Sequence, residues 1–316
     1  MNLRRLRPCF LLLLLFAALP LGAQSPAPLQ AKLDAMVKAY PGHVGLYAHN
    51  LTTGATVAED AGRPVPTASV IKVSLMLQAF EQVKAGKLRL DQPLTLTADN
   101  QVEGSGILRV LTPGLRLSLR DTIALMMTLS DNTATNMVID AVGLAPTNAM
   151  LARMGMKNTY FYKKVFKPAA GPQPADQKQF GLGKTTAREM ADVLEGIYRC
   201  DLGDRDLCRQ MITIMRNQQY RAMLPRYLDD ADASDGLSPI ADKIGSLDEA
   251  RNDVALVYSQ SGPLVISIFT YDNPDHSWTP DNKAEIEIGK LAQAIVAAWS
   301  PQGLARTIPH VLAPAR

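Results

Sequence analysis

The predicted strands of this chain lie at its two ends, and that constrains the fold more than any other feature. Apolar alternation and short apolar runs predict strands over Val44–His49 and Thr56–Glu59 near the start, and over Ala241–Ser246, Val254–Tyr258 and Leu264–Tyr271 near the end. Helical periodicity dominates between them, over Ser69–Ala85, Asp121–Leu129, Asn132–Val142, Pro146–Met154, Thr186–Arg199 and Leu207–Asn217. Two further helices, Leu29–Tyr40 and Asp281–Ser300, flank the whole arrangement. Strand backbone groups must find partners, so the terminal strands are expected to share one antiparallel sheet. The predicted class is therefore α/β, with two lobes. Residues 24–65 and 225–300 form an antiparallel sheet flanked by helices, residues 66–224 form an all-helical lobe, and 301–316 form a tail. A ligand site is expected at the seam between the lobes.

The first 23 residues have the pattern of a signal peptide. Arg4, Arg5 and Arg7 precede an apolar run from Cys9 to Leu19, and Leu21-Gly22-Ala23 supplies small residues for cleavage. The run is shorter than the roughly 20 residues a spanning helix needs. Cys9 sits inside that run rather than at its end, which argues against a lipoprotein. A periplasmic or secreted protein is expected, with no membrane attachment after processing. The chain carries 33 Lys+Arg and 30 Asp+Glu. Loss of the three leader arginines leaves a formally neutral chain, which favours neither nucleic acid nor an anionic membrane as partner. A monomer is the expected state. Cys200 and Cys208 remain, in a compartment that permits disulfides. The turn-like Asp201-Leu202-Gly203-Asp204 between two helices would bring them within bonding distance, whereas one continuous helix would hold them roughly 12 Å apart.

Three short motifs carry chemistry. In Ser69-Val70-Ile71-Lys72, helical spacing sets the amine one turn from the hydroxyl, and a serine needs such a neighbouring base to act as a nucleophile. Pro64 and Pro66 place Ser69 at a helix N-terminus, where backbone N–H groups can stabilise an oxyanion. Ser130-Asp131-Asn132 joins two predicted helices, and alone it reads as ordinary capping. Lys243-Ile244-Gly245, followed by Ser246, ends a predicted strand, and alone it reads as an edge-strand lysine. Together and in this order, on helix, inter-helix turn and strand, they match the Ser-x-x-Lys, Ser-Asp-Asn, Lys-Thr-Gly set of penicillin-recognising serine enzymes.

On these motifs, and on Met126–Asn136 (MMTLSDNTATN), Gly183–Met190 (GKTTAREM) and Arg251–Val257 (RNDVALV), the chain resembles the class A β-lactamase family along nearly its whole mature length. The resemblance implies that same two-lobed β-lactamase-like fold. It also implies roles: Ser69 as acylated nucleophile, Lys72 as its proton acceptor, and Ser130 as proton carrier to the leaving nitrogen. Asn132 would bind the substrate's side-chain amide. Lys243, with Gly245 in its motif, would attract the substrate carboxylate, and the N–H groups of Ser69 and Ser246 would form the oxyanion hole. The implied substrate is a small β-lactam or a peptidoglycan-like acyl compound, and no cofactor is required. No metal is expected either, since His43, His49, His276 and His310 lack ligand spacing. No serine occupies a Gly-x-Ser-x-Gly elbow.

The sequence departs from the family in two places. Ile244 stands where the family has a hydroxyl residue that helps bind the substrate carboxylate, and Ser246 or Arg251, the latter close to where the family often has a cation, is expected to compensate. Class A enzymes also carry a glutamate in the long loop before the Thr-Thr helix, where it activates the deacylating water. Here no glutamate occurs between Glu103 and Glu189, and Asp176 is the only acid between Asp140 and Glu189. The Lys157–Lys184 stretch, expected as a long loop, is basic instead, with Lys163, Lys164, Lys167 and Lys178. The expectation is an exported serine hydrolase that opens β-lactams through an acyl-enzyme on Ser69. The alternative is a penicillin-binding D-Ala-D-Ala peptidase or esterase, or a slowly deacylating covalent β-lactam binder.

Overall fold

The computed structural model describes residues 26–308, so the expected leader (1–23) and the end of the expected tail lie outside the described residues. The chain opens on helix α1 (Pro26–Ala39), and a hairpin of β1 (His43–Asn50) and β2 (Thr56–Glu59) follows. Asn50 shapes the hairpin turn by accepting from the N–H groups of Thr52 and Thr53. A two-residue strand β3 (Val65–Pro66) and a single 3₁₀ turn (Ala68–Ile71) lead into α2 (Lys72–Lys84). Strands β4 (Pro93–Thr95) and β5 (Arg116–Ser118) pair as a small ribbon. Next come α3 (Leu119–Thr128), α4 (Asn132–Val142) and α5 (Leu144–Arg153). Short β6 (Tyr160–Phe161), α6 (Gln177–Phe180) and β7 (Gly183–Thr185) precede α7 (Ala187–Arg199) and α8 (Arg205–Arg216). The chain then returns as β8 (Ile240–Leu247), β9 (Ala250–Ser259), β10 (Gly262–Tyr271) and α9 (Lys283–Trp299).

Strands from both ends form one five-stranded antiparallel sheet in the order β2-β1-β10-β9-β8. Period-2 alternation splits its side chains between two apolar clusters. Leu46, Ala48, Ala255, Val257, Ile266 and Ile268 pack with α1 and α9 on one face. Tyr47, Val254, Leu256, Val265 and Phe269 pack on the other with residues of α2–α5, α7 and α8. Both faces are covered, so β9 is buried at every position, including Arg251, Asn252, Asp253 and Ser259 as well as its apolar run Val254–Tyr258. Helix α7 comes from the segment expected to form the helical lobe, yet it lies directly against β1, β9 and β10.

Helix starts follow the side chains that cap them. Ser118, Asp131, Asp204 and Asn282 each accept from backbone N–H groups of the first turn. The Thr186 hydroxyl likewise accepts from Glu189 N–H, but the Glu189 side chain does not return a bond to Thr186 N–H. The Glu189 carboxylate instead accepts from Asn158 N–H and the Thr159 hydroxyl, and so anchors the chain entering β6.

Three other expectations are corrected. Ser69–Ala85 is not one regular helix: Ser69 belongs to a 3₁₀ turn entered through Ala68, whose φ is +46°. The Lys157–Lys184 stretch is not structureless, because β6 and β7 join β3 in a three-stranded sheet. The segment after α9 is not a loose tail as far as it is described, for Leu304 and Ile308 are buried and Ser259 bridges Leu304. Cys200 ends α7 in the left-handed conformation and is disulfide-bonded to Cys208 on α8.

Candidate active site

A cleft of about 780 Å³ opens between the edge strand β8, the Ser69 turn, the start of α4 and the 160–185 segment. Ser69, Ser130, Asn132, Ile244, Gly245 and Ser246 all line it. These residues come from three separate elements, and two close approaches hold them together. The first depends on Gly245. A Cβ there would lie 2.6 Å from the Thr67 carbonyl oxygen and 3.0 Å from the Ser69 nitrogen, so only glycine lets β8 press against the Ser69 turn. The second runs from β9, where Asn252 Nδ2 donates to the Pro66 carbonyl at 2.9 Å. As the outer strand of the sheet, β8 turns its unpaired edge towards this turn.

Ser130 sits at the centre of the polar groups. Its φ of +52° places a non-glycine residue in the left-handed region, an arrangement held by its neighbour Asp131. That carboxylate is fully buried and accepts from the N–H groups of Ile107, Leu108 and Ala134. It thereby ties the 103–108 loop to the start of α4. Lys72 Nζ donates to the Ser130 carbonyl at 2.8 Å and to Asn132 Oδ1 at 2.9 Å, and lies 3.2 Å from Ser130 Oγ. Lys243 Nζ reaches the same hydroxyl from the other side at 3.1 Å and also bonds the Ile244 carbonyl at 2.6 Å. Two lysines, both fully buried, thus share one serine hydroxyl.

Burial dominates the electrostatics. It pushes Lys72 well below its ordinary lysine value, the positive charge of Lys243 adds to that, and Asp131 opposes it. Burial also lowers Lys243, to about 7, against the opposing pull of Asp242 and Asp253. Those two carboxyls are themselves fully buried and pushed upward by desolvation. Lys72 Nζ thus has three hydrogen-bond partners, the Ser130 carbonyl, Ser130 Oγ and Asn132 Oδ1, and among the described residues it makes no bond to Ser69.

Other expected residues are placed elsewhere. Arg251 does not line the cleft. It is fully buried, and its guanidinium is taken up by the Leu247, Ala250 and Ser277 carbonyls and by Glu285, with Trp278 stacked 4.6 Å above it. Asp176 does not line the cleft either. Its carboxylate pairs with Lys184 at 2.5 Å and accepts from the Tyr162 hydroxyl at 2.8 Å, and the Lys184 ammonium holds it below the ordinary carboxylate range. Glu189 is committed to Asn158 and Thr159.

The cleft also contains residues that the motifs did not indicate. Val165 lines it, fixed by a reciprocal pair in which its N–H donates to Asn136 Oδ1 and its carbonyl accepts from Asn136 Nδ2. Phe166, Tyr220, Leu247 and Trp278 form an exposed apolar rim. Gly104 packs against Asn132 and the Phe166 ring so tightly that a Cβ would fall 2.6 Å from Asn132 Nδ2. Short sequence windows hold no signal for these positions, since each joins the site through a partner distant in sequence. Trp278 lies in a segment whose plain reading is a surface loop. The only carboxylate lining the cleft among the described residues is Glu285, and it is bonded to Arg251.

Comparison with known proteins agrees with this architecture. A sequence profile described as the beta-lactamase enzyme family matches residues 28–299. The crystal structure of a β-lactamase from Sphaerobacter thermophilus DSM 20745 is similar at 28% identity, covering 87% of this chain and 97% of that one, with a TM-score of 0.73. The structure of PBP-A is similar at 25% identity, covering 86% and 95%, with a TM-score of 0.70. A variant of the last common ancestor of Gram-negative class A β-lactamases shares the fold at 23% identity, covering 86% and 97%, with a TM-score of 0.71.

Proposed function

The chain belongs to the β-lactamase enzyme family, and we propose that it is an exported serine hydrolase whose Ser69 is acylated by β-lactams. The observation that carries this reading is the convergence of Lys72 and Lys243 on Ser130 beside the Ser69 turn. In the proposed reaction Ser69 Oγ attacks the lactam carbonyl carbon and Lys72 accepts the hydroxyl proton. The carbonyl oxygen gains negative charge next to the N–H groups of Ser69 and Ser246; each such donor lowers the barrier by about 3 kcal/mol. Collapse breaks the C–N bond, and Ser130 delivers a proton to the nitrogen, replenished from the lysine pair. The product is an ester on Ser69. Lys243 attracts the lactam carboxylate, and Asn132 holds the acyl side-chain amide. We leave Arg251 out of that set because its guanidinium is buried and bonded to the Leu247, Ala250 and Ser277 carbonyls and to Glu285.

A second reading concerns the fate of the ester, and a specific observation favours it. Hydrolysis needs a base that activates water, and the loop wall presents Val165 and Phe166 where a carboxylate would serve. Slow deacylation, as in a penicillin-binding peptidase or esterase that acts on peptide-like acyl donors, fits that wall better than fast turnover. Export is supported by the leader pattern of the sequence, and no helix among the described residues is long and apolar enough to cross a membrane.

An intact-mass time course with benzylpenicillin tests both readings. Acylation predicts a mass increase equal to the whole drug, because ring opening expels no leaving group, and its absence in Ser69→Ala. The expected loss of acylation rate in that variant is at least about 10⁴-fold. Retained acylation in Ser69→Ala would exclude Ser69 as the nucleophile. An adduct that persists for hours supports the slow reading, and one that clears as the drug is consumed supports a working β-lactamase.

A further inference from the structure

The loop wall of the cleft carries a cation that the proposed reaction does not use. Three of its neighbours are ion-paired: Lys164 with Asp140 at 2.5 Å, Lys167 with Asp99 at 3.4 Å and Lys184 with Asp176 at 2.5 Å. Lys163 lines the cleft, half-buried, and makes no ion pair and no side-chain hydrogen bond among the described residues. Its backbone is held on both sides. Tyr162 N–H donates to the Leu182 carbonyl and the Tyr162 hydroxyl to Asp176, while Val165 is clamped by Asn136. The neighbouring surface is apolar, formed by Val165, Phe166 and Leu182. An unpaired ammonium on a fixed backbone, beside apolar walls, is a recognition element for an anion attached to an apolar body.

The position decides which part of a substrate carries that anion. Phe166 packs towards Gly104, and Gly104 abuts Asn132, so the loop wall continues the side of the cleft on which Asn132 lies. Ile244 lines the cleft from β8, and Lys243, fully buried, bonds the Ile244 carbonyl and Ser130 Oγ. With Asn132 on the acyl side chain and Lys243 on the leaving-group side, Lys163 faces the acyl part. We propose that Lys163 is a specificity residue, and that this enzyme prefers acyl donors whose acyl side chain is an apolar group bearing a carboxylate. This rests on the acylation of Ser69 by β-lactams.

Benzylpenicillin and carbenicillin differ by one carboxylate on the acyl side chain, and so isolate the effect. The second-order acylation rate constant of each is measured by quenched intact mass, for the exported protein and for Lys163→Gln and Lys163→Arg. The carbenicillin-to-benzylpenicillin rate ratio is expected to fall about 5-fold in Lys163→Gln, the effect of one partly exposed ion pair. It is expected to persist in Lys163→Arg and to shrink towards the Lys163→Gln value as salt is raised. The benzylpenicillin rate itself should change little. A ratio unaltered in folded Lys163→Gln overturns the subsite while leaving Ser69 acylation intact. No adduct with either drug in folded protein removes the acylation chemistry, and the subsite with it.

Discussion

The two walls of the cleft differ in how their polar groups are used. On the wall built from the Ser69 turn, α4 and β8, the charged side chains are buried and converge: Lys72, Lys243, Ser130 and Asn132 bond to one another. On the wall built from residues 160–185, Lys184 pairs within the wall with Asp176, Lys164 pairs with Asp140 of α4 and Lys167 with Asp99, and Val165 and Phe166 face the cavity. In the proposed reaction, one wall places donors and a proton acceptor around the reacting carbonyl. The other supplies shape and, among the described residues, Lys163 as a cleft-lining cation without an ion pair, but no cleft-lining carboxylate. On the proposed acylation of Ser69, the contrast makes formation and breakdown of the acyl-enzyme separable, because the groups that would serve each step are carried by different walls.

The largest effect expected from that contrast comes from giving the second wall a base. Val165→Glu puts a carboxylate at a cleft-lining position whose backbone is already fixed by Asn136. If the wall lacks only a base, the penicillin adduct should clear about 10² to 10⁴ times faster with its formation little changed. The lifetime of the adduct by intact mass is the readout. An unchanged lifetime in a variant that still acylates would mean that water is not admitted on this side. Rapid clearance in the unaltered protein would break the comparison outright.

The difference between the walls also marks what the sequence could and could not show. The first wall is spelled out in local motifs, because Ser69-x-x-Lys72, Ser130-Asp131-Asn132 and Lys243-Ile244-Gly245 each occupy one element end. The sheet followed from apolar runs at both ends of the chain. The second wall joins the site through contacts such as Asn136 with Val165 and Tyr162 with Leu182, which no short window displays. The same holds for the 3₁₀ turn at Ser69. Its entry through Ala68 at φ +46° is imposed by packing, whereas local spacing favours a plain helix. Arg251 shows the opposite failure: its position in the chain resembles a substrate-binding cation, but the structure turns it behind Trp278 and pairs it with Glu285.

A smaller effect should distinguish the walls by pH. Lys243 is lowered from 10.5 to about 7 by burial. Between those values the unfolded chain holds a proton on this lysine that the folded protein does not, so its contribution to stability rises with pH over that window. Below about 7 both states are protonated, and the full cost of burying the charge is present. Melting temperature against pH for the native protein and for Lys243→Met should therefore differ in slope between about 7 and 10.5, with the rising component missing in the variant. Parallel curves would show that Lys243 does not carry this burial cost.

The smallest effect belongs to the pair that most resembles a base without facing the cavity. Asp176 is committed to Lys184 and Tyr162, and Lys184 holds its carboxyl below the ordinary range. A carboxylate stabilised in this way is a weak proton acceptor, and Asp176 does not reach the cleft lining. Asp176→Asn should leave the rate of adduct clearance unchanged. It should cost about 1 kcal/mol or less of stability, through loss of a partly exposed ion pair. A slowed clearance in this variant would assign catalytic work to the second wall after all. The walls would then differ in the distance over which their charges act, not in whether they act at all.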